Sequence, residues 1–172
     1  MTWWLPSTPD TMTPYPWLHP AAVCYLESLL TKDMTVIEHG CGGSTLWFAS
    51  RVKQVYCIDD DMDWVEAGMR RYFANVIPLI GNGDVFNRDK PSDLLFVDGK
   101  SVDRPRWMGL APEIVKRGGV VILDNAERPA YKEARQELAK HCHPPTVITA
   151  WTGTGKMVIT EFYRLRGGVN WI

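Results

Sequence analysis

Apolar and polar positions along the chain change their period several times, and the changes mark the elements. After Pro20, "AAVCYLESLL" places Val23, Leu26, Leu29 and Leu30 at helical spacing, with the proline suited to a first helical turn. From there short apolar runs alternate with helical segments. "MTVIE", "QVYCID", "NVIPLI", "DLLFVD" and "GGVVILD" read as strands, and Ser44 to Arg51, Asp63 to Phe73, Arg104 to Lys116 and Ala130 to His141 read as helices. Strands separated by helices of this length predict an α/β fold with helices on both faces of a parallel sheet. The unbroken apolar runs fit strands buried on both sides. The chain's end departs from this rhythm. "TVITAWTGTGKMVITEFYRL" reads as two β-branched strands around a glycine-containing turn, with no room for a crossover helix. The expected sheet is seven-stranded and mostly parallel, finishing in an antiparallel hairpin.

Composition narrows the class. With 172 residues, 45% hydrophobic and 23% charged, residues 1–172 are expected to form a single domain with a sizeable core. Lys and Arg total 19 against 20 Asp and Glu, so no strong nucleic-acid signal is present overall, although a local basic patch stays open. Cys24, Cys41, Cys57 and Cys142 form no CxxC pair, a pattern that fits a reducing cytoplasm. No apolar run approaches the roughly 20 residues of a membrane span. "MTWWLPSTPD" lacks the features of a signal peptide, so a soluble, unprocessed, cytoplasmic protein is expected. Residues 1–20 carry five prolines and three tryptophans, which predicts an extended arm. Trp3, Trp4 and Trp17 either form a lid over an acceptor or cover a helix face.

In an open parallel sheet the ligand sits beyond the carboxyl ends of the strands, and four strands here end in an acid: Glu38, Asp59, Asp98 and Asp124. Glu38 lies in "VIEHGCGGSTLWFA", a strand, a glycine-rich turn and a helix. Dinucleotides and S-adenosylmethionine both use such a turn, and Gly40, Gly42 and Gly43 alone do not choose between them. Thr45 stands where the dinucleotide fingerprint has its third glycine. Glu38 discriminates more sharply, because a carboxylate repels a pyrophosphate but attracts a sulfonium and an ammonium. Ser44, Thr45 and the helix N-terminus then suit the ligand's carboxylate. Asp59, about 20 residues after Glu38, is placed to accept hydrogen bonds from ribose hydroxyls.

In these residues the chain resembles the class I S-adenosylmethionine-dependent methyltransferases, whose first motif is an acid, any residue, then glycines, here Glu38-His39-Gly40-Cys41-Gly42-Gly43. The resemblance runs from about Val36 onward and includes the terminal hairpin. It implies a Rossmann-like sheet with S-adenosylmethionine as cofactor. It also implies that an acid after the third strand binds the adenine amino group, here Asp84 in "GNGDVF"; alternatively, Asn82 and Asp84 simply make the turn. "FVDGK" and "ILDNAERP" look like the catechol O-methyltransferase type, in which an Asp and an Asp-Asn pair bind a divalent metal. That would make Asp98, Asp124 and Asn125 a magnesium site of hard oxygen ligands. A metal on the acceptor oxygen lowers its pKa, and Lys100 would take the proton. The lysine of the resembled enzymes lies three residues after the aspartate, whereas Lys100 lies two after Asp98. Without a metal, Asp98 orients the acceptor and Asp124-Asn125 caps a loop. Glu127, Arg128 and Tyr131 follow, either facing the acceptor or opening a helix.

The expected function is methyl transfer from S-adenosylmethionine to a hydroxyl of a small molecule or sugar, with or without magnesium, and with the oligomeric state open. A dinucleotide-binding oxidoreductase-like module and a non-catalytic cofactor-binding scaffold are the competing readings. Other motifs fall away. "WTGTGKMV" has Ala150 where a phosphate loop needs its first glycine, "HCHPP" lacks the distant ligand pair of a zinc site, and His39 is expected to pack around the cofactor rather than act as a base.

Overall fold

The computed structural model describes residues 12–70, 73–81 and 91–166. The elements run α1 (Pro20–Leu29), β1 (Thr35–His39), α2 (Gly43–Ala49), β2 (Gln54–Asp59), α3 (Met62–Arg70) and β3 (Val76–Ile80). They continue with β4 (Ser92–Val97), α4 (Arg104–Ile114), β5 (Val115–Leu123), α5 (Lys132–His141), β6 (Thr146–Trp151) and β7 (Met157–Arg164). One seven-stranded sheet has the order β3-β2-β1-β4-β5-β7-β6. The first five strands pair in parallel, and β7 runs antiparallel to both β5 and β6. This is the mostly parallel sheet with a terminal hairpin that the hydropathy pattern predicts, in the Rossmann-like arrangement the resemblance implies. The chain moves outward from β1 to β3 and then returns to β4 on the other side of β1. The strand order therefore reverses between β1 and β4 and leaves a crevice beyond their carboxyl ends.

Neighbouring residues of one strand serve opposite faces. Val36 packs with Leu26, Trp47 and Phe48 on the α1 and α2 side, whereas Ile37 packs with Trp107, Met108 and Leu138 on the α4 and α5 side. Two covered faces are the reason these strands read as unbroken apolar runs. Several helix ends differ by a few residues from the sequence expectation, and one has a visible cause: α4 stops at Ile114, not Lys116, because Val115 is already extended and pairs with Ser92. Gly118, at φ +76°, lies where the register shifts before Val120 pairs with Leu94, so β5 begins with an irregular turn of backbone that a helix could not supply. Among the described residues no helix is long and apolar enough to cross a membrane.

Candidate active site

The turn after β1 is shaped by what its glycines allow. Gly40 has φ +103°, and a Cβ there would lie 2.7 Å from Gly99 Cα, so the ends of β1 and β4 touch backbone to backbone. A Cβ on Gly43 would lie 2.1 Å from the Thr13 carbonyl oxygen, because the N-terminal arm crosses directly over the turn. Met12 holds the arm there by packing on Leu46 and Trp64. Tyr15 and Trp17 of the arm border a cavity of about 220 Å³ whose other walls are Gly40 to Ser44, Asp59, Asp61, Trp64 and Asp98 to Lys100.

Glu38 is fully buried beside this cavity's glycine turn. Ser44 Oγ donates to one of its oxygens and Thr45 Oγ1 to the other at 2.5 Å. Burial, aided by the charges of Asp98 and Asp59, pushes the Glu38 carboxyl up to about 8 despite those hydroxyls. At the end of β2, Asp59 accepts the Cys41 N–H and the Asp61 N–H, each at 2.9 Å and each on a different oxygen. Each carboxylate oxygen has a second lone pair, so Asp59 can still accept hydroxyls from the cavity.

The ends of β4 and β5 are tied by Arg104, the first residue of α4. Its Nε donates to Gly99 O at 2.9 Å, its Nη1 to Asp124 O at 2.9 Å, and its Nη2 to both the backbone and side-chain oxygens of Asp98 at 2.8 Å. Burial and the nearby Asp124 charge push the Asp98 carboxyl up to about 7, against the pull of Arg104. Burial also raises Asp124, whose oxygens accept from Thr160 Oγ1 at 2.7 Å and Asn125 Nδ2 at 2.9 Å. Asn125 takes φ +56°, a region asparagine tolerates, and its Oδ1 accepts from Arg128 Nη2 at 2.7 Å. Lys100 is exposed and donates to Asp60 at 2.6 Å, a bond that raises the lysine and lowers the aspartate.

No protein-family model matches the chain, and no curated protein matches its sequence significantly. Solved structures do match. An O-methyltransferase from Bacillus cereus in complex with S-adenosylhomocysteine superposes with TM-score 0.69 at 17% identity, over 86% of this chain and 82% of that one. An rRNA methylase from Streptococcus thermophilus gives 0.67 at 15% identity, over 88% and 99%. The N-methyltransferase NodS from Bradyrhizobium japonicum, also with S-adenosylhomocysteine, gives 0.63 at 11% identity, over 78% and 79%. The chain has the class I methyltransferase fold.

Within the class I fold the structure brings Gly40, Gly42, Gly43, Ser44, Asp59, Asp98 and Lys100 around one cavity. Asp84 lies outside the described residues, as do Trp3 and Trp4. Three details differ from the sequence reading. The Ser44 and Thr45 hydroxyls, expected to meet a ligand carboxylate, donate to Glu38 instead, and Glu38 stands behind the turn without bordering the cavity. Lys100, expected to take the acceptor's proton beside a metal, donates to Asp60, a bond that raises its pKa further. Finally, Asp98, Asp124 and Asn125 do not fit a divalent cation. The Arg104 guanidinium donates to an Asp98 carboxylate oxygen and to the Asp124 backbone carbonyl, and Arg128 holds the Asn125 amide oxygen, so a fixed positive charge already stands at these strand ends.

The sequence reading passed over Arg104, Tyr15 and Trp64. Arg104 did leave a signal: a cation at the first position of a helix faces the positive end of the helix dipole, so it needs an acidic partner elsewhere. His39 packs as a neutral ring. It stacks on Trp107 with centroids 5.0 Å apart, and burial, with Arg104 nearby, lowers its pKa to about 4.

Proposed function

We propose that this protein is a single-domain S-adenosylmethionine-dependent methyltransferase that methylates a hydroxyl of a small molecule or sugar. The observation that carries the reading is the shared cavity, in which the glycine turn, Asp59 and Asp98 meet beyond the carboxyl ends of β1, β2 and β4. Two neighbours of the same fold hold S-adenosylhomocysteine. Gly40, Gly42 and Gly43 let the backbone approach the cofactor closely, and Asp59 accepts its ribose hydroxyls. Glu38, braced by Ser44 and Thr45, places a carboxyl behind the turn to balance the sulfonium and ammonium. Asp84 is assigned to the adenine amino group.

Bound S-adenosylmethionine supplies an electrophilic methyl group. Asp98 would take the proton of the acceptor hydroxyl as the new C–O bond forms and the methyl–sulfur bond breaks to leave S-adenosylhomocysteine, and a carboxyl near 7 suits that task at neutral pH. Lys100 stays protonated at the rim and orients a polar acceptor. Tyr15, Trp17 and Trp64 limit water at the cavity. Asp59, Asp61 and Asp98 give the walls an acidic character, which favours an uncharged acceptor over the phosphate-rich substrate of an rRNA methylase. Magnesium has no place in this reading, since the Arg104 guanidinium already supplies a positive charge at these strand ends.

Calorimetry with S-adenosylmethionine and S-adenosylhomocysteine tests the cofactor. Wild type is expected to bind both, and Asp59→Ala to bind them at least roughly tenfold more weakly, the equivalent of about 1.4 kcal/mol. Binding of a nicotinamide dinucleotide in their place would make the protein an oxidoreductase-like module. Cofactor binding without methyl transfer across a broad panel of hydroxylated acceptors would make it a non-catalytic scaffold.

A further inference from the structure

Arg104 combines two unfavourable placements. It is a cation at the positive end of α4, and its side chain is only 7% exposed. A buried guanidinium persists only if its donors are met, and here the fork reaches Gly99, Asp98 and Asp124 at once. The group also lies over the Tyr131 ring, 5.9 Å from its centroid. A second arginine, Arg128, occupies the Asn125 amide oxygen and donates to Tyr131 OH at 3.4 Å.

We infer that Arg104 is the built-in cation of the acceptor site: bonded to the Asp98 carboxylate and to the Asp124 backbone carbonyl, it takes the place of a divalent metal between the two acids, and it positions the Asp98 carboxylate. Nη2 grips both the backbone and side-chain oxygens of Asp98, which fixes how that side chain leaves β4. Nη1 and Nε tie the same unit to β5 and to Gly99. A lysine would supply the charge but not the planar fork. The role given to Asp98 rests on the methyl-transfer reading, whereas the place of the cation does not.

The test is titration of Mn2+ into the full chain, read by electron paramagnetic resonance of the free ion and by thermal unfolding. Wild type and Asp124→Asn are expected to behave alike, with no stoichiometric binding. Arg104→Gln leaves two neighbouring carboxylates without their cation, so it is expected to gain roughly tenfold or more in Mn2+ affinity and to rise in Tm when the ion is added. Arg104→Lys is expected to gain neither, and to lose kcat with little change in cofactor affinity. Stoichiometric Mn2+ binding by wild type that Asp124→Asn abolishes overturns the inference, as does a folded Arg104→Gln that gains no affinity. If Arg104→Gln does not fold, the comparison of wild type with Asp124→Asn decides alone. The Mn2+ measurements need no turnover, so failure of the methyltransferase reading shows separately, as absent binding of S-adenosylhomocysteine.

Discussion

Glu38 should release a proton when a cationic cofactor binds. In the free protein its carboxyl lies at about 8, because burial is the leading influence and Asp98 and Asp59 add to it. At pH 7 such a group is roughly 0.9 protonated. A bound cation that contributed about 3 kcal/mol, as a unit charge within several ångströms does at an effective dielectric constant near 20, would lower the carboxyl by about two units. Binding then releases roughly 0.8 proton at pH 7. Calorimetry in phosphate and in Tris measures this directly, since the apparent enthalpy changes with the buffer's own ionisation enthalpy. Glu38→Gln should remove that release while leaving any contribution from Asp98. The same shift predicts the stability of the free protein. A carboxyl raised from 4.5 to about 8 stays protonated in the folded state while the unfolded chain ionises, so its contribution is present at low pH and is lost as pH rises. Between pH 5 and 8 wild type should therefore lose about 4 kcal/mol that Glu38→Gln does not lose, read by urea unfolding at the two pH values. Equal proton release by the two proteins, or equal pH dependence of their stability, would refute the reasoning.

Gly43→Ala should cost about 1 to 3 kcal/mol in urea unfolding and displace the N-terminal arm, because its Cβ would meet the Thr13 carbonyl at 2.1 Å; Gly42→Ala, with nothing within 4 Å, should be nearly neutral in packing. Methyl transfer should rise with pH to a plateau above about 7 as Asp98 ionises, and Asp124→Asn should move that midpoint to lower pH by removing a neighbouring charge. Lys100→Met should leave the urea-unfolding midpoint nearly unchanged, as expected for an exposed ion pair. It should lower kcat through lost orientation of the acceptor yet leave the midpoint of the rate profile in place; a displaced or vanished midpoint would return the proton-accepting role to Lys100.

The features legible in the sequence are those set by local repetition or by backbone permission. Val36 and Ile37 face opposite cores, and that arrangement prints itself as an unbroken apolar run. Gly40 and Gly43 mark close backbone approaches, although nothing in the sequence says that the partners are Gly99 and Thr13. Asp59 and Asp98 could be placed because a strand's last residue faces the crevice whatever the loops do. The partners of the polar side chains are a different matter, because they come from elements distant in sequence. Glu38 meets Ser44 and Thr45 in the helix that follows it, but Lys100 meets Asp60 across the β2 and β4 ends, and that neighbour raises its pKa further.

Arg104 shows where such long-range pairing can be inferred and where it cannot. An arginine that opens a helix contradicts the local electrostatic preference, so it points to a compensating acid. "FVDGKSVDRPRW" offers Asp98 and Asp103 as near candidates, and the structure selects Asp98. Its second tie, to Asp124, depends on β4 and β5 lying side by side, which the alternation of strands and helices predicts but does not put in register. Once that register exists, two acids at neighbouring strand ends need a positive charge. A metal-binding motif and an arginine clamp are thus alternative solutions to one electrostatic problem, and the acids alone cannot tell them apart. The deciding residue lies outside the motif, at the start of the next helix.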